Sequence, residues 1–285
     1  MSTSITRVVV TGAAGKAGRA AVAELKEHGY DVLATDAAER PSDLEGEFLR
    51  ADLTVYGEAI DVLAGADAVV HLANIPAPGL RPAAATLTEN TSMNAHVFLA
   101  AQQLRLKRVV WASSETTLGL SFGPDRPPRY VPVDEDHFPL PESTYALSKV
   151  VSETMAEHIA TWSGIPFVGL RFSNIFTAAD YERVPGFKDD PESRIWNLWG
   201  YIDVRDAAAS CRNALEADTT GSVNVIIAND DTIVSDESAV LMARFFPDVE
   251  VRGELIGHQT LLSNQRAKDL IGYRPQHGWR RPIDA

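Results

Sequence analysis

The sequence predicts an α/β protein in which a doubly wound parallel sheet is followed by a small C-terminal lobe. Three observations carry that expectation. Short apolar runs alternate with helical stretches through the first 172 residues, the pattern of parallel βαβ units. A glycine-rich turn, Thr11-Gly12-Ala13-Ala14-Gly15-Lys16-Ala17-Gly18, joins the first run to the first helix. After Arg171 the alternation breaks, which places a sheet domain at 1–172 and a mixed, substrate-binding lobe at 173–285. Within that lobe, residues 202–228 are expected to return to the sheet.

The elements follow in order. Val8-Val9-Val10 is a strand, and an Ala-rich helix runs from the glycine turn to about His28, where Gly29 stops it. Tyr30–Thr35 is a second strand ending at Asp36. A short strand near Phe48-Leu49, a helix from Val55 to Leu63 and a strand over Ala68–Leu72 come next. A long helix from Ala83 to Leu104 leads into the strand Arg108–Ala112, and a helix from Ser143 to Ser163 precedes the strand Phe167–Arg171. Residues 173–200, with Pro185, Pro191 and several aromatics, read as loop, and so does the Pro124–Pro132 run. A helix at 204–217, a strand Ser222–Ile227, a helix near 236–245 and a short strand Val249–Val251 complete the reading. The lobe is expected over the carboxyl ends of the strands, where open α/β sheets bind ligands.

Composition narrows the partners. The chain has 285 residues and a net charge of −13, with no Lys/Arg cluster, which argues against a nucleic-acid partner. Met1–Arg7 lacks the apolar core of a signal peptide, and no stretch approaches the ~20 apolar residues of a membrane span, so no membrane partner and a cytoplasmic address are expected. Cys211 is the only cysteine; it falls in an amphipathic helix and is expected to be a buried structural thiol. Seven histidines without ligand spacing predict no metal site.

The glycine turn is the first candidate site. Gly12, Gly15 and Gly18 permit a tight turn and close backbone approach, while Ala14, Lys16 and Ala17 bring amides at a helix start toward an anionic pyrophosphate. Asp36, about 18 residues beyond Gly18, is placed to accept from both adenosine ribose hydroxyls and to repel a 2′-phosphate, which favours NAD over NADP. Arg40 nearby is the one feature pulling the other way. Asp52-Leu53 is placed for the adenine edge, with a surface carboxylate as the alternative. His71-Leu72-Ala73 supplies small residues suited to a ribose. The sheet expected around this loop is therefore Rossmann-like.

The second candidate site is chemical. Tyr145 and Lys149 stand four apart on one helix face. A phenol with pKa near 10 is a poor base at neutral pH, and a neighbouring ammonium and the positive nicotinamide ring are together expected to lower it. Ser114 ends a strand where it could hold a substrate oxygen; Ser113 competes, but strand alternation favours Ser114.

With Thr11–Gly18, Asp36, Asp52-Leu53, His71-Leu72-Ala73, Ala112-Ser113-Ser114, Tyr145, Lys149 and Leu170-Arg171-Phe172-Ser173-Asn174 in this order, the chain resembles the extended short-chain dehydrogenase/reductases over about residues 5 to 210. That group includes nucleotide-sugar epimerases, dehydratases and uronate dehydrogenases. The resemblance implies NAD at the glycine loop, Tyr145 as acid/base, Lys149 as its partner and ribose ligand, and Ser114 as donor to the substrate oxygen. It also implies that Asn90 is structural or near the nicotinamide. By the same analogy the long helices Ala83–Leu104 and Ser143–Ser163 would pair in a homodimer.

Departures from the pattern narrow the activity. Sugar 4,6-dehydratases carry Asp-Glu after the catalytic hydroxyl, whereas Glu115-Thr116 stands here, which argues against dehydration. The epimerases' Tyr-Gly becomes Leu118-Gly119, and their Gly-Pro becomes Thr177-Ala178. The stretch from Asn174 to Ile202 is too short for the usual nucleotide-diphosphate site, so the chain is closest in character to uronate dehydrogenases. The expected activity is hydride transfer between NAD and a small sugar-like alcohol; an epimerase and a non-catalytic NAD sensor are the alternatives. Asn74, Ile75, Glu115 and Asn174 are expected to line the substrate side with Ser114. If the substrate is a carboxylate, Arg183 or Arg194 is expected to meet it. Trp196 and Trp199 are placed either to wall a sugar pocket or to pack in the core.

Overall fold

Alternating apolar runs produce the elements in the expected order in the computed structural model, which describes residues 4–280. Residues 1–3 of the N-terminal run and 281–285 of the lobe lie outside the described residues. The chain runs through β1 (Arg7–Thr11), α1 (Lys16–Glu27), β2 (Asp31–Asp36), β3 (Glu47–Arg50), α2 (Tyr56–Leu63), β4 (Ala68–His71), α3 (Ala83–Leu104) and β5 (Arg108–Ser114). It continues through β6 (Tyr130–Val131), α4 (Thr144–Ser163), β7 (Phe167–Phe172), β8 (Ile175–Phe176), α5 (Ala178–Tyr181), β9 (Ile202–Asp203) and α6 (Val204–Glu216). Last come β10 (Ser222–Ile227), α7 (Ser238–Phe245), β11 (Glu250–Val251) and α8 (Gln265–Ile271).

Seven strands form one parallel sheet in the order β10-β7-β5-β4-β1-β2-β3. The winding reverses between β1 and β4, and that switch point opens a crevice at the carboxyl ends of the strands. One apolar layer joins α1 and α6 to the sheet through Val8, Val10, Ala21, Leu25 and Cys211. The other joins α2, α3 and α4 through Val9, Val69, Phe98, Trp111 and Phe167. The interior strands β4 and β7 are buried along their whole length, as a two-sided parallel sheet requires.

A third apolar cluster gathers Leu118 and Val133 from the first part of the chain with Tyr181, Trp199, Tyr201 and Leu262 from the second. Residues 173–200, expected as loop, are ordered into β8, α5 and two 3₁₀ turns. A reciprocal Thr177–Asp180 cap starts α5, and β8 pairs with β9. The Pro124–Pro132 run likewise ends in β6, which pairs with β11 far along the chain. No described helix is long and apolar enough to cross a membrane.

Candidate active site

The loops at the switch point enclose a single cleft of about 1110 Å³, at the upper end of ligand-site sizes. One end is the glycine turn. A Cβ on Gly12, whose φ is +69°, would lie 2.6 Å from Ala73 N, and one on Gly18 would lie 2.0 Å from Gly12 O. Only glycine lets the turn fold this tightly against the strand beside it, leaving the start of α1 facing the cleft. Lys16, Ala17 and Gly18 line it there. This cradle of backbone amides fits a dinucleotide pyrophosphate. Gly18→Ala should weaken NADH binding at least about tenfold in a fluorescence titration, because the clash is with backbone that no side-chain rotation relieves.

Asp36 ends β2 at the lip. Its Oδ2 accepts from Ala14 N–H and its Oδ1 from Ala38 N–H, both at 2.9 Å, which aims the carboxylate across the cleft mouth. Arg40 is turned away, donating from Nε and Nη2 to Leu44 O. Asp52, Leu53, Leu72 and Ala73 line the same half. Thr54 donates to Asp52 through its N–H and hydroxyl, holding that carboxyl below its ordinary range. His71 does not line the cleft. It is buried beneath it, between Thr11 Oγ1 at 2.7 Å and Asn94 Oδ1 at 2.8 Å, and burial pushes its pKa down to about 3.

The other end gathers Ser114, Tyr145 and Lys149. Ser143 caps α4 by accepting from Ala146 N–H at 3.0 Å, so Tyr145 sits in the first turn and Lys149 one turn later on the same face. The Tyr145 hydroxyl is in hydrogen-bond contact with Ser114. Lys149 Nζ lies 5.5 Å from the Tyr145 ring centre and donates to Ala112 O at 2.7 Å. Strand alternation separates the two serines. Both line the cleft, but Ser113 Oγ is given to Glu153 at 2.6 Å, whereas Ser114 Oγ accepts from Thr116 N–H and hydroxyl.

The electrostatics differ from the expectation of a depressed phenol. Burial pushes Tyr145 up to about 12, helped by the Glu115 charge and opposed by the Ser114 hydrogen bond. Burial pushes Lys149 down to about 7, opposed by Glu153. Desolvation dominates both shifts because both groups lie inside the fold.

Four expected ligands stand outside the cleft wall. Ala14 spends its N–H on Asp36. Asn90 is fully buried, accepting from Ile75 N–H at 2.8 Å and donating to Ile75 O at 3.1 Å, so it positions the loop after β4. Arg183 is 70% exposed and paired with Asp180. Arg194 is held by Asn174 Oδ1 and Gly200 O under the rings of Phe176, Phe187 and Trp196. The expected carboxylate anchor is therefore not presented to the cleft by either arginine.

Asn74, Ile75, Glu115 and Asn174 do line it, as do Trp196, Ser173 of the Leu170–Asn174 motif, and Arg81 and Glu89, which no motif marked. The two tryptophans part company: Trp196 faces the cleft, while Trp199 is fully buried, its indole donating to Pro191 O. Positive φ at Leu198 and Trp199 makes the bend that separates them. Ser173 lies within the Leu170–Asn174 motif, a signal that was available without a role attached to it. Arg81 and Glu89 belong to an ordinary loop and helix face, and no local pattern distinguishes them. Among the described residues no group of His, Cys, Asp or Glu could hold a metal ion.

Comparison with known proteins agrees with this geometry. L-arabinose 1-dehydrogenase (NAD(P)(+)) of Haloferax volcanii is 28% identical over 239 residues, covering 80% of this chain and 91% of that protein. Uronate dehydrogenase of Pseudomonas syringae pv. tomato is 27% identical over 184 residues, 64% of each. In fold, the chain is similar to an NAD-bound short-chain dehydrogenase/reductase superfamily protein from Agrobacterium tumefaciens, with TM-score 0.74, 23% identity and coverage of 96% and 94%. The model of the NAD dependent epimerase/dehydratase family matches residues 8–226, and with glycine cradle, lip carboxylate and chemical end in that span, the chain belongs to this NAD-dependent enzyme family.

Proposed function

We propose that the protein is an NAD-dependent oxidoreductase acting on a hydroxyl-bearing carbon of a small sugar or sugar acid, in the manner of aldose and uronate dehydrogenases. The observation that carries this reading is the contact of Ser114 and Tyr145 beside Lys149, at one end of a cleft whose other end is the glycine turn. The names of the relatives, an arabinose and a uronate dehydrogenase, support a monosaccharide substrate.

NAD, when bound, supplies the hydride acceptor. Ser114 Oγ orients the substrate hydroxyl, and Tyr145 Oη accepts its proton as the carbon loses hydride. The product is a carbonyl compound, or a lactone when the carbon is anomeric. Lys149 Nζ, anchored on Ala112 O, places positive charge beside the phenol. Each group alone resists charging in this buried setting, but a phenolate facing an ammonium is a neutral pair, so proton loss from one is eased by the charge on the other.

The test is a substrate screen with purified protein and NAD. Aldoses, uronic acids and polyols are supplied, and NADH absorbance is followed. Net NADH formation with at least one sugar is expected. A cofactor that survives dialysis, with sugar isomers interconverted and no net NADH, would replace this reading by an epimerase.

A further inference from the structure

At the chemical end of the cleft, Glu115 is a carboxylate that the proton transfer just described leaves unused. It follows Ser114 directly, lines the cleft and is 3% exposed. Ser173 Oγ donates to its Oε2 at 2.5 Å, and Asn197 Nδ2 to its Oε1 at 3.3 Å. Arg194 acts on it through space, with Nη2 given to Asn174 and Gly200 and its buried Nε unpartnered, but it forms no salt bridge with Glu115. Burial is the larger influence and pushes the carboxyl up to about 7. The remaining lone pairs make it an acceptor, and it has no capacity to donate once ionised.

The cations lining the cleft among the described residues each have a partner. Lys16 bonds Ile175 O and lies 3.5 Å from Asp180 on the glycine-turn side, Arg81 pairs with Glu89 at 3.0 Å, and Lys149 donates to Ala112 O. A ligand here meets an acidic acceptor and the Trp196 ring, with no arginine fork to receive a carboxylate. We infer that Glu115 is a specificity-determining residue that selects an uncharged sugar: it accepts a hydrogen bond from a hydroxyl next to the one held by Ser114, and it repels the carboxylate of a sugar acid. The inference rests on the proposed hydride transfer and chooses between its two substrate classes.

The experiment compares kcat/KM for NADH formation with matched pairs, galactose against galacturonate and glucose against glucuronate, at pH 8.5. Wild-type protein should favour the neutral sugar of the better pair at least about tenfold. Glu115→Gln should shrink that preference by a further factor of about ten, raising KM for the aldose, while NADH affinity in a fluorescence titration stays within about twofold. A wild-type preference for the uronate overturns the inference, and that measurement stands even if the variant does not fold. So does an unchanged ratio in a folded Glu115→Gln. NADH binding with no turnover of any sugar would instead remove the hydride-transfer reading beneath it.

Discussion

Tyr145→Phe should lower kcat by about a hundred- to ten-thousandfold, the usual span for loss of a positioned proton-transfer group. NADH affinity should stay within about twofold, since the ring remains and only Oη is lost. Tyr145 is buried, its hydroxyl in contact with Ser114, so the phenylalanine ring fills the same volume without rearranging α4. Steady-state kinetics beside fluorescence titration separate the two effects. Turnover within tenfold of wild type would remove Tyr145 from the proton path. A matching loss of NADH affinity would instead assign it to binding.

The largest effect on stability is expected at Glu153→Ala. The Glu153 carboxylate lies on α4 and receives Arg171 Nε and Nη2 at 2.9 Å each, with Ser113 Oγ at 2.6 Å. Side-chain exposures of 9% and 5% place the pair well inside the fold. Removing one partner strands a buried guanidinium, which costs about 3–5 kcal/mol, whereas a surface pair would cost under about 1 kcal/mol. For a chain of this size the Tm should fall by roughly 10 °C, read by calorimetry or urea titration. Ser113→Ala, which removes one hydrogen bond, should cost about 1 kcal/mol. A loss below that at Glu153 would mean that water reaches the guanidinium.

How much of this was legible depended on how local the signal was. The bounds Ala83–Leu104 and Ser222–Ile227 emerge as read, because composition and flanking turns define both elements. The glycine turn, Asp36 and the Tyr145–Lys149 spacing were visible for the same reason: each demand falls on a few neighbouring residues. The strand β6 was not, since two residues become a strand only by pairing with β11 more than a hundred positions later. Arg194 shows the other limit. Its charge and place in the chain suggested a ligand, but its orientation is set by the rings packed around it, and those come together only in the fold. Asn90 is best understood through Ile75, whose backbone it clamps, a contact that its place in the helix does not reveal.

The close seat of Gly12 against the chain just past β4 has a kinetic and thermodynamic corollary. With Ala73 N–H donating to Thr11 Oγ1 and no space between the turn and the Leu72–Ala73 backbone, the amides at the start of α1 are set in place by folding itself. A dinucleotide arriving there need not organise a loose segment. Little of its interaction energy is lost to ordering entropy, and the encounter resembles docking into a finished mould.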